Sequence, residues 1–189
     1  IGADAARIPV DEEGFDWARA ARTGKPAKLV YVTPSRQFPL GMTMTLQRRL
    51  GLLEWAKEND AWVIEDDYDS EFRYSGRPLP SLQGLDRAGR VLYIGTSSKT
   101  VFPGLRLGCI VLPPDLVDVF TAARTLTDLH APLTDQMVLA DFIAEGHFER
   151  HVRRMRTLYG ERQKILVAES QKHLAGFLTV EPSDAGMHL

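Results

Sequence analysis

Trp62-Val63-Ile64-Glu65-Asp66-Asp67-Tyr68-Asp69-Ser70 is an apolar, β-branched run that turns acidic without a break, and its reading decides the fold. Residues 62–65 are too short and too uniformly apolar for a surface strand, which predicts a strand inside a covered sheet. The carboxylates that follow are open to two readings, a cluster for a hard cation or a solvated loop at the strand's end. The same pattern recurs on both sides, at Lys28 to Val32, Val91 to Gly95 and Leu105 to Leu112. Between the first two strands Leu46, Leu50 and Leu53 recur at helical spacing, with Arg48, Arg49 and Lys57 elsewhere and Thr45 or Thr43 as N-cap. Short strands alternating with helices predict crossover connections, hence an α/β fold: a three-layer, doubly wound, mostly parallel sheet.

Downstream the strands give way to helices. Pro113-Pro114 opens a helix to about Thr127, Ala131-Pro132 breaks the chain, a helix follows to about Glu145, and a long helix runs from His147 to His173. Leu178 to Glu181, ended by Pro182, reads as a further strand. Residues 1–145 are therefore expected to be part of a large α/β domain. Residues 146–189 are expected to form a connecting helix and the start of a small C-terminal α+β domain. Both ends, at Ile1 and Leu189, read as cuts through a longer protein.

Composition narrows the function classes. With 44% hydrophobic and 25% charged residues the chain can bury a real core, and a net charge of −2 does not draw DNA or an anionic membrane to its whole surface. The single cysteine, Cys109, excludes an internal disulfide and a multi-cysteine metal site, and a reduced, cytoplasmic setting follows as the expectation. His147 and His151 stand one turn apart without a carboxylate or thiolate at metal-site spacing, so no metal is expected. No stretch reaches the ~18 apolar residues of a membrane span. The locally basic run His147 to Arg156 places Phe148, Val152, Met155 and Tyr159 on one helix face, which turns its arginines to solvent rather than into a nucleic-acid stripe. Trp17, Trp55 and Trp62 read as packing residues.

The chemistry-bearing residues fall at strand ends, where open α/β sheets place their ligands: Thr33 to Gly41, Glu65 to Ser70, Thr96 to Lys99, and Arg106. The order Asp66-x-Tyr68, Thr96-x-Ser98-Lys99, then Phe102-Pro103-Gly104-Leu105-Arg106-Leu107-Gly108 resembles the active-site core of fold-type I pyridoxal-phosphate enzymes. The resemblance implies that Lys99 carries pyridoxal 5′-phosphate covalently and is the catalytic residue where catalysis occurs. It implies further that Asp66 keeps the pyridine nitrogen protonated, and that Tyr68 donates to the cofactor's phenolic oxygen. Thr96, Ser98 and Arg106, the last seven residues beyond the lysine, are the implied phosphate ligands.

Finer details narrow the resemblance. Common aminotransferases show Asp-x-x-Tyr and an Asn-Pro-x-Gly turn, whereas here Asp66-Asp67-Tyr68 is one residue shorter and Phe38 precedes Pro39. Thr33 to Gly41, Glu65 to Tyr74 and Pro80 to Asp86 are together similar to the MocR (GabR-like) subgroup of the GntR regulators, over a span from about Ile8 to the C-terminus. In that family a winged helix-turn-helix, absent from this chain, binds DNA, and the aminotransferase-like domain senses pyridoxal phosphate or an amino-compound effector. A homodimer is the implied assembly. Arg36 and Gln37 then face the effector side or form a structural turn. The rival reading is a true aminotransferase that moves an amino group between an amino acid and a 2-oxo acid with the same lysine as proton shuttle. A third is a dimerisation module with a vestigial site, favoured if Lys99 is inaccessible.

Overall fold

The computed structural model describes residues 2–21 and 27–188, so Ile1 and Leu189 lie outside the described residues. Its elements run β1 (Val10–Asp11), β2 (Gly14–Phe15), α1 (Trp17–Ala21), β3 (Leu29–Val32), α2 (Leu46–Glu58), β4 (Trp62–Asp67), α3 (Leu82–Leu85), β5 (Val91–Thr96), α4 (Ser97–Thr100), a 3-10 turn (Pro103–Leu105), β6 (Gly108–Val111), α5 (Pro114–Asp128), α6 (Leu133–Ala144) and α7 (His147–His173). The chain divides into two compact units. One comprises Ile1–Tyr68, Leu79–Gly95 and Cys109–Val119, the other Asp69–Pro78, Thr96–Gly108 and Phe120–Leu189.

In the first unit a four-stranded sheet runs in the order β3-β4-β5-β6, and β4 is parallel to both of its neighbours. The parallel α/β arrangement expected from the alternation is present. Val30 and Val32 of β3, Val63 of β4 and Val91 of β5 pack with Leu52, Leu53, Trp55 and Ala56 of α2 and with Leu82 of α3. Each of these valines and leucines contributes about 1.5–3 kcal/mol on burial. The opposite face differs from expectation. β3 is not buried on both sides, since Leu29 and Tyr31 are exposed on either side of Val30, and β6 is exposed along its length. Within this unit α2 and α3 cover one face of the sheet, which is the face that can be dry.

Three further expectations are corrected. The buried face of α2 is Arg49, Leu52, Leu53, Trp55 and Ala56, while Leu46 and Leu50 are 43% and 50% exposed. The leucine spacing was misleading because an arginine occupies the core-facing position. Thr45 does cap this helix, accepting the Arg48 N–H at 3.3 Å. Second, β4 runs on through Asp67, so the acidic residues begin inside the strand. Third, β6 begins at Gly108 rather than Leu105, because residues 103–105 form a 3-10 turn and Arg106 is left-handed.

In the second unit α7 spans His147–His173 as its periodicity predicts, with Val152 buried, Phe148, Met155 and Tyr159 half-buried on the same face, and Arg150, Arg153, Arg154 and Arg156 exposed. Tyr159 meets Phe72 edge-on, with ring centroids 5.2 Å apart. The strand expected at residues 178–181 does not form. The C-terminal stretch pairs later instead, where Arg73 bridges Ala185, Tyr74 N donates to Asp184 O at 2.8 Å and Gly186 N donates to Phe72 O at 2.7 Å. A β-branched run needs a partner backbone to become a strand, and residues 72–74 are met by 184–186.

Candidate active site

β4 sorts its acidic end by alternation, because successive strand residues face opposite sides. Glu65 and Asp67 point inward and are buried, whereas Asp66 shares the other face with Ile64 and the half-buried Tyr68. Glu65 is fully buried and accepts the backbone N–H groups of Leu82 and Gln83, each at 2.8 Å, so its carboxylate caps the start of α3. Arg49 lies 3.9 Å away and donates to the carbonyls of Met44 at 3.0 Å, Pro80 at 3.1 Å and Pro34 at 2.8 Å. Burial pushes the Glu65 carboxyl above its ordinary range, against the lowering pull of those N–H groups and of Arg49. Asp67 accepts the Tyr93 hydroxyl at 3.0 Å. These residues hold the fold rather than a cation, and among the described residues no group of three or more His, Cys, Asp or Glu side chains could hold a metal ion.

Asp66 has a different neighbour. The hydroxyl of Tyr31, on β3, donates to its Oδ2. Desolvation of its hydroxyl, followed by the hydrogen bond to Asp66 and that residue's negative charge, pushes the Tyr31 phenol up to about 12. Tyr68 donates to the Arg36 carbonyl at 3.1 Å and meets Phe38 edge-on, with ring centroids 6.4 Å apart. The 33–43 loop is bonded to itself: Phe38 N to Thr33 Oγ1 at 3.1 Å, Gln37 N to Met42 O and Gly41 N to Gln37 O, both at 2.7 Å. Arg36 is 6% exposed, and its guanidinium lies against Gly41, whose φ of +86° suits glycine. Gln37 Nε2 donates to Phe38 O at 3.2 Å.

In the second unit, Thr96, the last residue of β5, leads into the short turn of α4. Thr96 Oγ1 accepts the Ser98 N–H at 3.2 Å, and both the N–H and the hydroxyl of Ser97 donate to Leu107 O, at 3.0 and 2.7 Å. That pair pins the turn to the returning chain. With Ser97 and Thr100 buried, Lys99 is exposed and Ser98 half-buried. Arg106 follows the 3-10 turn with φ 52° and ψ 30°, a left-handed conformation that costs a non-glycine residue about 1 kcal/mol. Strain of this kind is held where the surroundings over-determine it, often at binding sites.

The geometry thus brings Asp66 to Tyr31, and Tyr68 to the backbone of Arg36, in one unit. In the other it places Thr96, Ser98 and Lys99 on a single turn, with Arg106 on the loop after it. The sequence reading missed Tyr31. The available signal was the period-2 pattern of β3, which turns Leu29 and Tyr31 to one face and Val30 and Val32 to the other.

The aminotransferase class I and II family matches residues 10–189. The probable rhizopine catabolism regulatory protein MocR of Rhizobium meliloti is 50% identical over 188 residues, covering all of this chain and 38% of that protein. The kynurenine aminotransferase of Pyrococcus horikoshii, solved in complex with PMP, superposes with a TM-score of 0.86 at 34% identity, over 95% of this chain and 46% of that one. LysN, an α-aminoadipate aminotransferase from Thermus thermophilus solved with N-(5′-phosphopyridoxyl)-L-leucine, gives a TM-score of 0.86 at 29% identity, over 95% and 47%. The chain thus spans less than half the length of the proteins it matches. By family and by fold the chain belongs to the class I and II aminotransferases, with the fold-type I sheet, and its curated relatives include the MocR-type regulators of the GntR family.

Proposed function

We propose that this chain is the pyridoxal-phosphate-binding, effector-sensing part of a MocR-type transcriptional regulator that works in the cytoplasm as a homodimer and binds DNA through a segment outside these residues. The observation that carries the reading is the exposed Lys99 on a turn whose neighbours are pinned, followed by the strained Arg106. The donor set fits the cofactor: a carboxylate for a ring nitrogen, an accessible amine for an aldehyde, and two hydroxyls with a guanidinium for a phosphate.

When bound, the cofactor supplies an aldehyde and an electron-withdrawing ring. Lys99 holds it through its amine, which must be neutral to bond. Asp66 accepts the ring N–H and keeps that nitrogen protonated. The hydroxyls of Thr96 and Ser98 donate to the phosphate, and Arg106 neutralises it. Tyr68 has one O–H, so donating it to the cofactor's phenolic oxygen requires it to leave the Arg36 carbonyl. Arg36 keeps its guanidinium within the loop, so of the two effector-side residues Gln37 is the better placed to meet an amino compound.

Titrating the full-length protein with pyridoxal phosphate and then with amino compounds tests this reading. A yellow absorbance that forms in wild type, is lost in Lys99→Ala and changes with an effector supports it. An unaltered absorbance in Lys99→Ala overturns it. The second reading, a genuine aminotransferase acting on an amino acid and a 2-oxo acid, draws on the solved relatives, which are aminotransferases. Sustained conversion of a 2-oxo acid by the same preparation, without an effect on DNA binding, would favour it.

A further inference from the structure

We infer that Tyr31 is a positioning residue for the ring-nitrogen carboxylate, its phenol fixing the rotamer of Asp66 so that the carboxylate is presented to the protonated ring nitrogen of a bound pyridoxal phosphate. The inference rests on the proposed cofactor reading. Its observation is independent of that reading: the hydroxyl of Tyr31 donates to Asp66 Oδ2 across two adjacent parallel strands. Tyr31 stands opposite Ile64 in the register, so a long side chain leaning along the strand reaches the residue two positions further on the same face. A serine or threonine at position 31 is too short to make that reach.

One phenol donor occupies one of the roughly four lone-pair sites of a carboxylate, so Asp66 keeps capacity for a second donor. Holding the carboxylate in place removes the rotational freedom that an aspartate at a half-exposed strand end otherwise loses on binding. Tyr31 itself does not need burial for folding, as 59% of its surface is exposed. Its raised phenol pKa accords with a proton held by Asp66.

The test uses the full-length protein and two ligands, pyridoxal 5′-phosphate and its 1-deaza analogue, in which carbon replaces the ring nitrogen. Tyr31→Phe keeps the ring and removes the donor, and circular dichroism checks that it is folded. The expected result is an affinity for pyridoxal phosphate lower by about two- to tenfold, with the deaza analogue bound equally by wild type and variant. Equal losses for both ligands would mean that Tyr31 acts on the pocket and not through the nitrogen contact, which overturns the inference. Unchanged affinity in Tyr31→Phe beside weakened affinity in Asp66→Asn also overturns it and leaves the cofactor reading standing. Unchanged affinity in both variants removes that reading and the inference with it.

Discussion

The two faces of β4 carry the same chemistry to opposite ends. Glu65 and Asp67 face the core, where each carboxylate is satisfied by fixed donors: the Leu82 and Gln83 N–H groups and nearby Arg49 for one, the Tyr93 hydroxyl for the other. Asp66, one residue away, faces the other side and meets Tyr31. Three carboxylates in a row, Glu65 to Asp67, look like one cluster in the sequence and are split between two faces in the fold. A carboxylate hydrogen-bonded on all sides inside a protein sets structure, whereas one with spare acceptor capacity on an open face is available for a ligand.

Substitutions should separate the faces, and the largest effect belongs to the buried one. Arg49→Ala removes three hydrogen bonds to backbone carbonyls and leaves Glu65 without its buried cation, so denaturant unfolding should show a loss of about 3–5 kcal/mol. A loss below about 1 kcal/mol would mean that the inward pair is not structural. Asp66→Asn should leave unfolding unchanged within about 0.5 kcal/mol, yet weaken pyridoxal phosphate by about 1.5–3 kcal/mol in a direct titration. The reverse pattern, lost stability with intact binding, would break the comparison. Asp67→Asn weakens the acceptor of the Tyr93 hydroxyl and should cost at least about 1 kcal/mol of stability, with cofactor affinity unmoved.

The smallest expected effect is a pH dependence. Burial raises the Glu65 carboxyl, so the folded chain holds that proton more tightly than the unfolded one. The resulting stabilisation is present in full below the ordinary glutamate value of about 4.3 and is lost as pH rises through the folded value. Glu65→Gln removes the titration. Its stability deficit against wild type should therefore narrow between about pH 4 and pH 7, and a deficit that widens over that range would show that Arg49 and the backbone N–H groups outweigh burial.

Much of the architecture was legible from periodicity. The helices that follow Pro113 and the length of α7 appear where their caps and apolar spacing put them, and so do β3 and β5 to within a residue. The misses have physical causes. Arg49 is polar by type but core-facing by position, so a stripe of leucines drew attention to the wrong face of α2. Arg106 adopts a left-handed conformation that residue type does not disclose, which made a turn look like the start of β6. Residues 178–181 have strand composition without a strand partner, and partnership is a property of the fold. The proposed cofactor residues Asp66, Tyr68, Thr96, Ser98, Lys99 and Arg106 were singled out from their types and order alone, as the resemblance to fold-type I enzymes suggests them. Tyr31 was not, since its role depends on the register between two strands 33 residues apart at Tyr31 and Ile64.

The central claim is that Lys99 bears the cofactor. Its most direct test is borohydride reduction of the full-length protein in the presence of pyridoxal phosphate, followed by peptide mass mapping. The account predicts a single stoichiometric pyridoxyl-phosphate adduct on Lys99, lost in Lys99→Ala. An adduct mapped to Lys28, Lys57 or any other lysine, or none in wild type, would contradict it.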